Sequence, residues 1–292
     1  MATISAPLIV ITGPTASGKT GLALELAHKY GGEIICADSR TIYTGMDIGT
    51  AKPNQKERLY VPHHLLDVVQ PNERFTAADF QRLARDAIAD IRKRGKVPFL
   101  VGGTGLYIDS IVLNFEFGAD ADPEKRKLLE EKTVEELVTL IKNQQLELPG
   151  NTLNKRHLIR VLEQGGINKR RQNNPIDNSY VVSISTENNI LEQRIRERTE
   201  SIFSAGVLDE AKQLGDRYGW DAEAMTGNIY PILREVLEGA LSIEEAKERF
   251  IIRDRQLAKR QITWLKRHDF VHWLSLDDAR REISLILDRF QA

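Results

Sequence analysis

Eight residues, Gly13-Pro14-Thr15-Ala16-Ser17-Gly18-Lys19-Thr20, place glycines, a lysine and a threonine hydroxyl at the spacing of a phosphate-binding P-loop. In such a turn successive backbone N–H groups converge on an anion, Lys19 adds a mobile positive charge, and the Thr20 hydroxyl suits Mg²⁺. Gly13, Thr15, Ala16, Ser17, Gly18, Lys19 and Thr20 are therefore expected to hold phosphate oxygens, with Thr20 facing the metal. The spelling leaves open whose phosphates they are: a nucleoside triphosphate, a phosphorylated metabolite and a diphosphate leaving group present the same atoms. Two more stretches carry chemistry-bearing groups, the carboxylate of Asp38 beside Ser39 and the glycine-rich Gly102-Gly103-Thr104-Gly105 with its one hydroxyl.

The elements that must position these residues follow from apolar patterning. Pro7 to Thr12 reads as a buried strand, Thr20 to Tyr30 as a helix closed by Gly31-Gly32, and Glu33 to Asp38 as a second strand. A right-handed βαβ crossover in a parallel sheet puts Asp38 on the same rim as the P-loop. Leu65 to Val69 is expected as a strand. The preceding His63-His64 is read as packing or turn rather than metal ligation, since neighbours on an extended chain point to opposite faces. A helix from Thr76, capped by Asp79, leads to the strand Val97–Val101, whose exit is the second glycine loop.

Beyond Leu113 the texture changes. Glu116 to Glu147 holds nine acidic and five basic residues at helical spacing, whereas Leu153 to Arg171 holds six basic residues, Lys155, Arg156, Arg160, Lys169, Arg170 and Arg171, against Glu163. Tyr180 to Ser185 returns to a strand pattern, so the fold expected is α/β, a P-loop NTPase-like parallel sheet flanked by helices. Residues 1–113 and 179–292 form its core, and residues 114–178 form a small inserted helical domain. The longest helix, Ser242 to Lys266, opens on a Ser242/Glu245 capping box. Arg249, Arg253, Gln256, Arg260, Thr263 and Arg267 fall on one of its stripes, opposite Phe250, Ile251, Leu257, Ala258, Ile262, Trp264 and Leu265.

The 292 residues carry 41 basic and 42 acidic side chains for a net charge of −1, which excludes a uniformly basic coat but not a segregated basic surface. Lys247 to Arg267 is such a surface, with eight basic residues against Glu248 and Asp254, and with Leu153 to Arg171 it points to a polyanion. The single cysteine, Cys36, lies in an apolar strand and allows no internal disulfide. The absence of a long apolar run predicts a soluble, cytoplasmic protein with no membrane partner.

Together, Gly13 to Thr20, Ala37-Asp38-Ser39-Arg40 with Gly45 to Pro53, Gly102 to Tyr107 and Gln256 to Leu265 resemble the bacterial tRNA dimethylallyltransferase family along nearly the whole chain. The resemblance implies transfer of a dimethylallyl group from its diphosphate to the exocyclic amine of the adenosine 3′ of the tRNA anticodon, with Mg²⁺, by a monomer. It makes Asp38 the general base, Thr104 a second catalytic residue, and Lys19, with Arg160 of the insertion, the charges that neutralise the departing diphosphate. It assigns tRNA contact to Asp38, Ser39, Arg40 and Thr41, to Arg156 and Arg160, and to Lys259, Arg260, Gln261, Thr263, Trp264 and Lys266. The chain departs from the family pattern in its brief Leu148-Pro149-Gly150 passage, in His157 where an arginine is usual, and in Thr226 to Pro231, which lacks the usual charges. ATP binding and nucleotide binding are expected with the P-loop; rival readings are a P-loop kinase of a small metabolite, an isopentenyltransferase of free adenine nucleotides and a non-catalytic RNA-binding module.

Overall fold

The computed structural model describes residues 5–118, 122–167, 171–227 and 229–292. Lys169, Arg170 and Asn228 lie outside the described residues. The chain divides into two compact units, residues 1–112 with 174–292, and residues 113–173.

The larger unit is built on a parallel sheet. β1 (Leu8–Thr12), β2 (Glu33–Cys36), β3 (His63–His64), β4 (Pro98–Val101), β5 (Ser179–Ile184) and β6 (His272–Leu274) lie side by side in the order β3-β2-β4-β1-β5-β6. β1 is central, pairing Ile9 with Phe99 of β4 and with Tyr180 of β5. Its five residues are all buried, as expected of a strand covered on both faces. One face packs on α1 (Lys19–Lys29) and α12 (Leu276–Gln291) through Leu22, Leu26, Ile283 and Leu287. The other packs on α3 (Ala77–Lys93) and α4 (Gly105–Val112) through Phe80, Ile88, Ile108 and Ile111. Between β2 and α3 the chain forms α2 (Gln55–Tyr60). All the strand pairings are parallel, so the strands leave the sheet at one rim, where ligands bind in open α/β sheets.

The strand expected at Leu65–Val69 is not there. β3 is His63–His64 itself, paired to Ile34 and Ile35, and its successor is broken by left-handed backbone at Leu65 (φ 63°) and Asp67 (φ 55°). Val69 keeps a single bridge to Tyr43. His64 Nε2 meets the Glu33 carboxylate at 2.8 Å, a structural contact.

The smaller unit packs α5 (Pro123–Glu130), α6 (Val134–Asn143) and α7 (Lys155–Gln164) around Leu129, Leu137, Ile141, Leu158 and Leu162. Back in the larger unit, α8 (Asn188–Ser204), α9 (Val207–Tyr218), α10 (Tyr230–Leu237) and α11 (Ile243–Leu265) enclose a further core containing Ile42, Met46, Ile202, Leu214 and Phe250. The caps of α3 and α11 are full capping boxes, Thr76 with Asp79 and Ser242 with Glu245.

Candidate active site

The P-loop leaves β1 through left-handed backbone at Gly13 (φ 140°), Ala16 (φ 61°) and Gly18 (φ 90°). A Cβ on Gly13 would stand 3.1 Å from both the Ile184 nitrogen and Ser17 Oγ, so the turn is close-packed against β5. Gly18 caps α1 without a side-chain hydrogen bond, leaving the first-turn N–H groups open to an anion. Lys19 Nζ donates to the Pro14 carbonyl at 3.1 Å. Burial pushes its pKa down from 10.5 to about 8, partly offset by the charges of Asp38 and Asp254 and reinforced by Arg198. A polyanion bound beside it would favour its charged form.

Two arginines of α8, four residues apart, face the same loop. Arg194 Nη1 donates to the Ser17 carbonyl at 3.1 Å. Arg198 donates to Thr15 Oγ1, to Asp254 Oδ2 at 3.3 Å and to the Thr50 carbonyl at 3.4 Å. Both line a cavity of about 570 Å³ together with Lys19, Thr20 and Asp38. Sequence reasoning missed these arginines because α8 mixes them with Glu192, Glu197 and Glu200, which hides the basic pair in a balanced helix. Their i, i+4 spacing after a strand is the signal that would have found them. Asp254 was missed too: it lies fully buried in the seam of α11 read as apolar.

At the neighbouring strand exits, Asp38 Oδ1 accepts from the Arg40 N–H at 2.8 Å, a turn that fixes the carboxylate at the cavity. Thr104 Oγ1 accepts from the Ser39 N–H at 3.0 Å, and the Thr104 N–H reaches the Ala37 carbonyl at 3.2 Å. The two loops touch so closely that a Cβ on Gly102 would lie 2.1 Å from the Ala37 oxygen. Thr41 Oγ1 is buried against the same cavity and has no hydrogen-bond partner among the described residues. The buried side chains of Ile34, Cys36 and Val101 add apolar surface to the lining, beside His63. Burial pushes the Cys36 thiol up to about 12, so it stays protonated.

Residues 41–268 match the family pattern of IPP transferase. The chain is 39% identical to the tRNA dimethylallyltransferase of Desulforudis audaxviator over 95% of this chain and 94% of the relative. It is 36% identical to that of Geobacillus thermodenitrificans over 94% and 92%. The structure of a tRNA isopentenylpyrophosphate transferase from Bacillus halodurans superposes with a TM-score of 0.74 at 35% identity, covering 98% of this chain and 97% of that one. A eukaryotic dimethylallyltransferase structure shares the fold at a TM-score of 0.76 and 24% identity, covering 93% and 74%. The chain belongs to the tRNA dimethylallyltransferase family.

The family match begins after the P-loop and Asp38, so those residues rest on the geometry above. In the transferase, Lys259, Arg260 and Thr263 of α11 and its C-cap Lys266 are exposed. Gln261 and Trp264 point the other way. Gln261 Oε1 accepts from the Thr15 N–H at 2.8 Å while its Nε2 donates to the Gly103 carbonyl at 3.2 Å, tying the P-loop to the second glycine loop. Trp264 donates its indole N–H to Asp109 Oδ2 at 2.8 Å and packs where a Cβ on Gly105 would come within 2.2 Å. Both side chains are half-buried and make these contacts within the protein. Arg40 is likewise braced, Nη1 donating to the Ala224 carbonyl at 3.4 Å and its guanidinium filling the space beside Gly227. In the smaller unit Arg156 is exposed, whereas Arg160 meets Glu163 at 3.3 Å.

Proposed function

We propose that this transferase seats dimethylallyl diphosphate with its diphosphate on the P-loop and presents it to the exocyclic amine of the adenosine 3′ of the anticodon. The observation that carries this reading is that the P-loop lysine, two arginines and Asp38 share one cavity whose lining also includes the buried apolar Ile34, Cys36 and Val101. Such a lining suits a ligand that is anionic at one end and a short hydrocarbon at the other. As the amine attacks, a C–N bond forms, the C–O bond to diphosphate breaks and the amine proton passes to the Asp38 carboxylate. Lys19, Arg194 and Arg198 neutralise charge growing on the diphosphate, so their attraction rises along the reaction. Thr104, bonded to the Ser39 N–H, fixes the strand exit on which Asp38 stands. The unpartnered Thr41 hydroxyl supports a polar contact to the incoming base, which must leave its stack to reach the cavity.

Mg²⁺ fits the Thr20 hydroxyl, which stands beside the P-loop in the cavity lining. Among the described residues no cluster of His, Cys, Asp or Glu would hold a metal on protein ligands alone. Thr20 would hold the ion together with diphosphate oxygens, and the bound ion would supply further charge neutralisation for the leaving group. Lys259, Arg260, Thr263 and Lys266, with Arg156 and Arg160 of the smaller unit, are the proposed tRNA contacts. Among the described residues no helix is long and apolar enough to cross a membrane.

The deciding experiment follows labelled dimethylallyl transfer from its diphosphate to an anticodon stem-loop with Mg²⁺. Asp38→Ala is expected to lower the rate by about 10²–10⁴-fold with RNA affinity within about twofold of wild type. Arg260→Ala is expected to weaken RNA binding and flatten its salt dependence. Transfer of an ATP γ-phosphate without alkylation would overturn the reading, as would equal loss of RNA affinity in both variants.

A further inference from the structure

The stretch from Asp47 to Pro53 has no role in the chemistry above, yet it forms a wall of the cavity through Gly49, Thr50, Ala51 and Pro53. Three consecutive backbone N–H groups of this wall, those of Asp47, Ile48 and Gly49, donate to one carboxylate, Glu210 of α9, at 2.8, 2.6 and 2.9 Å. The Tyr230 hydroxyl donates to the same carboxylate at 2.9 Å. Successive N–H groups turned to one side form an anion nest, and here a side chain 161 residues away in sequence fills it. The four donors are uncharged, so the carboxylate is held by directed hydrogen bonds, which fix geometry more tightly than an ion pair on flexible stems.

The wall is fixed from its other end as well. Lys52 is fully buried and its ammonium meets Asp47 Oδ1 at 2.7 Å, Asp67 Oδ1 at 2.6 Å and the Tyr43 carbonyl at 2.7 Å. At Gly49 a Cβ would lie 2.8 Å from Tyr230 Oη, so a side chain there would displace the tyrosine. Between these anchors stands the Thr50 carbonyl, which accepts from Arg198. Burial, with Glu210 beside it, holds the Tyr230 hydroxyl above the ordinary tyrosine range, protonated as a donor.

We propose that Glu210 is a positioning residue of the donor site: with Tyr230 it braces the Asp47–Pro53 wall from behind, and through the Thr50 carbonyl it aims Arg198 at the diphosphate. This rests on the assignment of the cavity to dimethylallyl diphosphate. It predicts that damage to the brace is felt by the diphosphate and not by RNA, whereas a merely structural contact would lower stability and leave ligand affinities together.

The test measures binding of inorganic pyrophosphate by calorimetry, and KM for dimethylallyl diphosphate and for an anticodon stem-loop, in Glu210→Ala, Glu210→Gln and Tyr230→Phe. Circular dichroism confirms folding. Glu210→Ala is expected to weaken pyrophosphate binding and raise the donor KM about tenfold, with the stem-loop KM within about twofold. Glu210→Gln keeps one acceptor oxygen for the nest and is expected to fall between alanine and wild type; Tyr230→Phe removes one donor and is expected to shift both donor readouts two- to threefold. Unchanged pyrophosphate affinity in folded Glu210→Ala overturns the inference. Should Glu210→Ala not fold, unchanged affinity in both milder variants does the same. Wild-type protein that binds pyrophosphate but transfers no prenyl group would instead overturn the donor assignment, and the pyrophosphate series would still decide the role of Glu210.

Discussion

Lys19 gives a prediction whose sign runs against intuition: removing it should make the protein more stable. Burial lowers its pKa from 10.5 to about 8, so in the absence of a ligand the folded state binds the lysine proton less tightly than the unfolded chain does. The difference corresponds to a destabilisation of about 3 kcal/mol at most, fully present below pH 8 and fading as pH rises from 8 towards 10.5. Lys19 keeps part of its surface exposed and a hydrogen bond to Pro14, so about 1–2 kcal/mol is the figure to expect. Lys19→Met preserves length and removes the charge. Urea unfolding at several pH values should find the variant more stable by that amount at pH 7, with the gap closing between pH 8 and 10.5. Inorganic pyrophosphate should reverse the order, since ligand at a hundred times its Kd stabilises wild type by about 2.7 kcal/mol and the variant by much less. A variant less stable than wild type at pH 7, or a gap that ignores pH across this window, would refute the reasoning.

Two further outcomes concern parts of the molecule that position the site. Gly102→Ala puts a Cβ 2.1 Å from the Ala37 carbonyl, backbone against backbone, and should destabilise the protein by about 3 kcal/mol, read as a fall in unfolding midpoint. At the opposite end of β2, Arg94 above all, then Lys96 and His64, hold the Glu33 carboxyl far below the ordinary range against the effect of its burial. A carboxylate whose folded pKa is depressed contributes stability above its unfolded pKa of about 4.5 and loses it as pH falls further. Glu33→Gln should therefore cost about 2 kcal/mol at pH 7, and the difference from wild type should shrink below pH 4.5 in acid-titrated thermal melts.

What could be read from the sequence was what local chemistry encodes. The P-loop, Asp38 and Gly102–Gly105 each follow a buried apolar run, and parallel topology alone puts strand exits on one rim. The caps at Thr76 and Ser242 were legible because both partners lie within three residues. The remaining site residues come from afar: Gln261 reaches Thr15 across 246 positions, Arg198 reaches it across 183, and Glu210 reaches Gly49 across 161. No periodicity marks such pairs. Leu65–Val69 was misread as a strand for a related reason, since Lys52 and Arg58 hold Asp67 in a left-handed turn that apolar neighbours conceal.

The central place of β1 has a consequence for biosynthesis. Its neighbours are β4, about ninety residues later, and β5, about a hundred and seventy later, so during translation the strand bearing the P-loop waits for both edges to be made. The α8 arginines and Gln261 emerge later still. Closing such long loops precedes any reward from pairing, which makes assembly slow and leaves apolar strands exposed in the interim. A nascent chain therefore acquires its anion cradle in one late step, and binding of pyrophosphate to newly made protein would report completion of the sheet rather than progress towards it.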